Sequence, residues 1–211
     1  MAVLCAGLFV ITNKTGFGYD DGDFQFWMAE SISGEVNTNW KMTLTNEERF
    51  GDDANEHYQH NTDIGFSKTI DKTWKLGLHF KYVTKKKSSG WQYEHRYYVN
   101  TSHKFLIKNL KAANKFQVEF RHKENNDFYR FRNKLTINLP KIKESLTPYI
   151  ADEVFTDTEA EKLNRNRFYL GIKNNLIDNT YGSVFYLWQR DKKPTYWKDT
   201  YILGVKISFK L

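Results

Sequence analysis

Apolar and polar residues alternate with a period of two along almost the whole chain from Phe24 onward, which is the pattern of β-strands with two unlike faces. Trp40, Met42 and Leu44 alternate with Lys41, Thr43 and Thr45. Trp74, Leu76, Leu78, Phe80 and Tyr82 alternate with Lys75, Gly77, His79 and Lys81. Phe116, Val118 and Phe120 alternate with Gln117, Glu119 and Arg121, and Phe168, Leu170 and Ile172 with Arg167, Tyr169, Gly171 and Lys173. The cleanest run closes the chain, with Tyr201, Leu203, Val205, Ile207, Phe209 and Leu211 on one face. The pattern predicts strands over 23–35, 38–50, 56–70, 74–86, 90–102, 114–125, 127–139, 145–157, 163–175, 180–190 and 197–211. No segment has a helical period, and 104–113 is the least clear connection.

The length of these runs decides between two folds. Strands of soluble sandwiches and barrels peak at about 5–6 residues, whereas a membrane-crossing strand needs about 9–11 plus rim positions. Most runs here have the longer form. Aromatic residues also stand near their ends: Trp40 and Trp74 on one side, and Phe50, Tyr58, Tyr82, Trp91, Tyr129 and Trp197 on the other, as in a headgroup girdle. The expectation is an all-β, antiparallel, up-and-down transmembrane β-barrel whose apolar rows touch acyl chains while its polar rows face the axis. The chain carries 17% aromatic residues, a net charge of +7 and a single cysteine, Cys5, which excludes a disulfide scaffold, a cysteine zinc site and a disordered chain.

Ala2 to Ile11 form a short apolar run followed by Gly16 and Gly18, so residues 1–18 read as a signal peptide and 19–211 as the barrel. The positive n-region is missing, which reads as a precursor start lying further upstream. The links at 36–37, 71–73 and 176–179 are tight, while 51–55, 85–90, 158–162 and 191–196 are longer and charged, which would place the latter outside and the C-terminus on the periplasmic side. Eleven runs conflict with the even strand number of bacterial barrels. Twelve strands, at about 16 residues per strand and link, is the preferred count and ten the runner-up, with a further strand sought in 13–22 or 103–113.

The polar rows carry the chemistry. Glu47/Arg49, Glu94/Arg96 and Glu119/Arg121 repeat a Glu-x-Arg spacing, and Arg130/Arg132 and Arg165/Arg167 an Arg-x-Arg spacing. Two residues apart, both members point the same way, and strand direction places all five pairs in one half of the barrel. Charges in a narrow lumen must be paired, and the planar Arg fork suits carboxylates. The spacing therefore predicts a lumenal ladder, with Asp63 and Glu153 or Asp152 as further acceptors. Seven Arg against three Glu favour an anionic solute. One reading of this ladder is a solute-selecting constriction, the other a salt-bridged seal that rigidifies a closed structural barrel.

Several stretches resemble the domain-of-unknown-function 2490 family of bacterial outer-membrane barrels: Asp23-Phe24-Gln25-Phe26-Trp27, Glu47-Glu48-Arg49-Phe50-Gly51-Asp52-Asp53, Arg130-Phe131-Arg132-Asn133-Lys134-Leu135, Leu146-Thr147-Pro148-Tyr149, Asn164-Arg165-Asn166-Arg167 and Tyr186-Leu187-Trp188-Gln189. The resemblance implies the fold and the outer membrane and brings no catalytic residues with it.

Enzyme chemistry finds little purchase in the sequence. A lipid hydrolase on a barrel wall needs a nucleophile beside a His. The outward histidines His60, His95 and His122 have Tyr58 and Thr62, Tyr93 and Tyr97, and Phe120 and Glu124 two residues away, none of them Ser. Asp52, Asp53 and His57 share a loop, as acidic loop residues often do. No phosphate loop, His-Glu-x-x-His or calcium loop occurs. The expectation is a non-enzymatic, monomeric outer-membrane barrel without cofactor or metal. Its partners would be outer-membrane lipid and lipopolysaccharide (which Lys85-Lys86-Lys87 could touch), the barrel-insertion machinery through the C-terminal strand, and a small anionic solute, with no role for nucleic acid. A lipid-modifying enzyme ranks last among the alternatives.

Overall fold

The computed structural model describes residues 19–124, 126–158 and 163–211, which form a closed barrel of eleven strands. These are β1 (Asp23–Glu35), β2 (Trp40–Gly51), β3 (Glu56–Thr69), β4 (Trp74–Lys87), β5 (Gly90–Ile107), β6 (Leu110–Lys123), β7 (Asn126–Asn138), β8 (Leu146–Asp157), β9 (Leu163–Ile177), β10 (Thr180–Lys192) and β11 (Trp197–Lys210). Sequence neighbours pair antiparallel all the way round, and β1 closes on β11 in parallel, from Asp23 beside Thr200 to Ser33 beside Lys210.

This corrects the expectation of twelve, or ten, strands in an antiparallel-only barrel. Parity is the reason. After eleven alternating strands the first and last run the same way, so the seam between them must be parallel. Residues 103–113 hold no further strand, because β5 and β6 lengthen to meet in a turn at Lys108-Asn109. Of residues 13–22, only 19–22 are described and they are not strand; the signal-peptide reading of 1–18 lies outside the described residues.

The strands give the barrel two ends. At the head lie the start of β1, the links 52–55, 88–89 and 193–196, the ends of β6 and β8 and the starts of β7 and β9; at the foot lie 36–39, 70–73, 108–109, 139–145, 178–179 and the end of β11. Link length does not separate them, contrary to the expectation. Lys85, Lys86 and Lys87 belong to β4, which pairs with β5 as far as Lys87 and Gly90, so the loop expected at 85–90 shrinks to Ser88-Ser89. The longest link, 139–145, lies at the foot.

The walls are inverted relative to a soluble barrel. Leu78 and Leu170 on the outside are 61% and 54% exposed, while Glu119 on the inside is 1% exposed. The inner wall buries Gln25, Asn61, Gln117, Arg121, Arg167 and Gln189. One sector of it, on β8–β11 and β1, is apolar: Trp27, Tyr149, Ala151, Tyr169, Leu187 and Ile202 pack together with Phe185. Gly171 and Gly204 make room for this cluster, since a side chain at either position would run into Phe185.

Local sequence sets the ends. At the foot, Asn37 accepts hydrogen bonds from the backbone N–H groups of Asn39 and Trp40 at 3.1 Å each. Asp71 does the same for Thr73 at 2.6 Å and Trp74 at 2.7 Å. These donors hold the Asp71 carboxyl below the usual carboxylate range. Both turns are followed at once by a tryptophan on the outside wall, Trp40 and Trp74. At the head, β2 and β3 slip register between Arg49/Phe50 and Gln59/His57, leaving Tyr58 as the extra residue of a bulge. Tyr58 therefore turns inward beside Gln59 and bonds Gln25 Oε1 at 2.8 Å, instead of joining the girdle as its sequence position suggested.

The loop after β2 holds three consecutive non-glycine residues in the left-handed region, Asp52 (φ 54°), Asp53 (φ 55°) and Ala54 (φ 66°). That region costs an L-residue about 1–2 kcal/mol, part of which glycine gives back in unfolded-chain entropy. Ala54→Gly is expected to stabilise the barrel by about 0.5–1 kcal/mol, read as a higher urea midpoint in detergent micelles; a lower midpoint contradicts the strain.

Candidate functional site

Five of the ten residues expected to form a charge ladder lie on β5 and β6 or reach them, and the chain of ion pairs continues over β7 to β10. Arg96 donates to Glu94 through Nε at 2.9 Å and Nη2 at 3.1 Å. Arg121, on β6, donates to both oxygens of the same carboxylate, Nη2 to Oε2 at 2.8 Å. Arg121 thus pairs across strands and not with Glu119 on its own strand. Glu119 instead accepts from Arg132 Nη1 at 2.7 Å and from Gln117 at 2.6 Å. Arg132 also reaches Glu153 on β8 through Nε at 3.0 Å and Nη2 at 2.6 Å. Arg130 grips Asp157 with two bonds, at 2.5 and 2.6 Å.

The arc ends on β9 and β10. Arg165 bonds Asp191, and Arg167 Nε donates to Gln189 Oε1 at 2.7 Å while standing 4.0 Å from Glu153. Glu47 and Arg49 are apart from the arc, on β2, where Arg49 Nε donates to Glu47 at 2.6 Å and Asn61 to the same oxygen at 2.7 Å. Trp27 joins the two groups. The Arg49 guanidinium lies 3.7 Å from its ring centroid and that of Arg167 lies 5.0 Å away. Phe155, 2% exposed, sits among Arg130, Arg132, Arg165 and Arg167 with centroid distances of 4.9–5.8 Å.

Strand alternation sorts the further acceptors. Asp63 and Glu153 face inward: Asp63 accepts from His79 at 2.8 Å and from Tyr98, with Lys81 at 3.4 Å. Asp152, one residue from Glu153, faces outward and bonds Asn166 at 2.9 Å. The spacing search missed Asp157 and Asp191, because neither has an Arg two residues away on its own strand. The signal that finds them is parity: Asp157 is four residues from Glu153, and Asp191 shares the face of the fully buried Leu187.

With Glu153, Asp157 and Asp191 counted, seven guanidinium groups meet six carboxylates, so the arginine tier is close to neutral. The surplus positive charge sits elsewhere. Among the described residues, Lys85, Lys115, Lys134 and Lys206 line the cavity with no carboxylate within 4.0 Å. Lys115 and Lys134 stand directly opposite each other on β6 and β7, an arrangement of like charges that an anion would relieve. Lys134 rests 3.4 Å above the Tyr169 ring. The cavity has a volume of about 1470 Å³, and its lining runs from Lys87 and Asn126 at the head to Asn109 and Lys141 at the foot.

Arg132 holds two carboxylates that are 2% and 4% exposed. Arg132→Ala is expected to cost about 3–5 kcal/mol, since it removes the guanidinium those two charges share. Adding Glu119→Gln and Glu153→Gln to the same variant should recover most of the loss. Urea titrations of the three proteins in micelles measure this, and a single variant as stable as the wild type contradicts the coupling.

In comparison with solved structures, the barrel matches one described as "NanC porin structure in rhombohedral crystal form", with a TM-score of 0.55 and 10% sequence identity, over 90% of this chain and 99% of that one. At that identity the likeness concerns the fold. No curated protein matches the chain. The family model described as "Protein of unknown function (DUF2490)" matches residues 24–200, so the chain belongs to that family.

Proposed function

We propose that this barrel is a narrow porin-like channel of the bacterial outer membrane for small solutes, with a bias toward anions. The observation that carries the reading is the head-to-foot cavity, lined by cations and enclosed by a wall whose outside is apolar. An apolar outside over strands of 12–18 residues matches the hydrocarbon thickness of a bilayer, and aromatic residues at both ends match its interfaces. The porin-like fold of the solved neighbour supports the same placement. In this reading the head faces outward, β11 serves insertion, and lipid and lipopolysaccharide surround a monomer.

Selectivity resides in the lysines. A neutralised arginine tier shapes the bore, while Lys115, Lys134 and Lys206, away from carboxylates, set the field that a passing anion meets. A second reading is a sealed structural barrel. It is favoured by Trp27, which bridges the head half of the lumen between Arg49 and Arg167.

Planar-bilayer recordings separate the two. The channel reading expects stepwise conductance with anion preference, and Lys115→Glu with Lys134→Glu should reverse that preference. Under the sealed reading the wild type is silent and Arg130→Ala with Arg132→Ala opens a leak. Cation-selective steps in the wild type would defeat both.

A further inference from the structure

The outside wall carries an arrangement that the channel does not use. Near the head, β2 and β3 pair Glu48 with His60 and Asn46 with Thr62, all four on the outside. Glu48 Oε1 bonds His60 Nδ1, the other ring nitrogen, Nε2, lies 3.1 Å from Thr62 Oγ1, and Thr62 Oγ1 donates to Asn46 Oδ1 at 3.0 Å. Glu48 Oε2 is held in turn by His57 Nε2 at 2.7 Å. A carboxylate on Nδ1 keeps the proton there and leaves Nε2 free to accept one, which is how a hydroxyl nucleophile is activated.

The position is as telling as the geometry. Above the group, Phe50, His57 and Trp91 form an aromatic rim with ring centroids 5.2 and 5.5 Å apart. Below it, the next rows pair Leu44 with Ile64 and Met42 with Phe66, and Met42, Ile64 and Phe66 are exposed. The polar group therefore lies at the boundary between a rim suited to headgroups and a wall suited to acyl chains. A membrane lipid against this wall places its chains along Leu44, Ile64 and Phe66 and its acyl ester beside Thr62.

We propose that Thr62, His60 and Glu48 form an acyl-ester hydrolase site acting on membrane lipids. Thr62 Oγ attacks the ester carbonyl carbon as its proton passes to His60 Nε2. The tetrahedral intermediate collapses by breaking the carbon–alkoxy bond, and His60 returns the proton to the leaving oxygen. Water then attacks the acyl-threonine, giving one proton to His60, which passes it to Thr62 Oγ as the fatty acid leaves. Glu48 is a positioning residue that orients His60 and stabilises its imidazolium. Asn46, whose amide can present its NH₂ once turned over, is placed to stabilise the oxyanion. A search for Ser beside His passes over this site because its nucleophile is Thr.

The test uses the full chain in mixed micelles with radiolabelled phospholipid in one arm and labelled lipopolysaccharide in the other. Folding of each variant is verified by heat-modifiable electrophoresis. Fatty-acid release is expected in at least one arm, and the responding arm names the lipid class. Thr62→Ala and His60→Ala should each lower turnover by about 1,000-fold or more, and Thr62→Ser should retain it. Glu48→Gln should lower kcat with little change in KM, with Glu48→Asp recovering part of the loss. A fluorophosphonate bearing an alkyl chain should label Thr62, as read by mass spectrometry of the peptide. Folded wild type that neither releases fatty acid nor takes the label overturns the proposal, as does Thr62→Ala with wild-type turnover. Bilayer conductance is expected to be the same in wild type and Thr62→Ala, so this result is read separately from the channel reading.

Discussion

A guanidinium removed from bulk water must find a carboxylate, and this requirement organises the inner wall of the barrel. The seven ladder arginines meet it across strands more than along them. Arg121 takes the carboxylate of β5, and Arg132 ties β6 to β8 from its place on β7. Each such bond fixes the register of two neighbours, because a slip of one residue would turn the arginine to the outside and strand its acceptor inside. The polar network therefore specifies the barrel as a core of Leu and Ile would specify a soluble one, and the apolar sector around Trp27 and Leu187 fills what the charges leave.

Closure follows from the same alternation carried round an odd number of strands. β1 and β11 run the same way and are joined by a parallel seam eleven residue pairs long. Across that seam Ser31 donates to Ser208 Oγ at 2.8 Å, so the inward polar row continues without a break. Tyr19, ahead of β1, bonds Glu56 at 2.9 Å and lies against Gly51, tying the entry of the chain to the β2–β3 hairpin.

The two walls divide the chemistry. Inside, a nearly neutral arginine tier sets shape and lysines apart from carboxylates set the field, which is why the proposed anion bias is assigned to Lys115, Lys134 and Lys206. Outside, the wall is mostly apolar, and among its polar groups Asn46, Glu48, His60 and Thr62 collect under the aromatic rim. On β2 and β3 the two walls take alternate residues, since residues one apart on a strand point to opposite sides. Asn61 serves the lumen while its neighbours His60 and Thr62 serve the outside.

The period-two pattern by itself determined the strands, within a few residues at most ends, and assigned Phe, Leu and Val to one wall and Arg and Glu to the other, because side-chain alternation is a local property of extended backbone. It also placed the arginine pairs in one half of the barrel. Only the tertiary structure decided the rest. Strand number and the parallel seam depend on which edges meet, Tyr58 on a bulge that needs the partner strand, and the partners of Arg121 and Arg132 on register between strands. Glu48 reaches His60 for the same reason: residues 12 positions apart in sequence become neighbours only once β2 and β3 pair, and pairing is a non-local event that no single strand records.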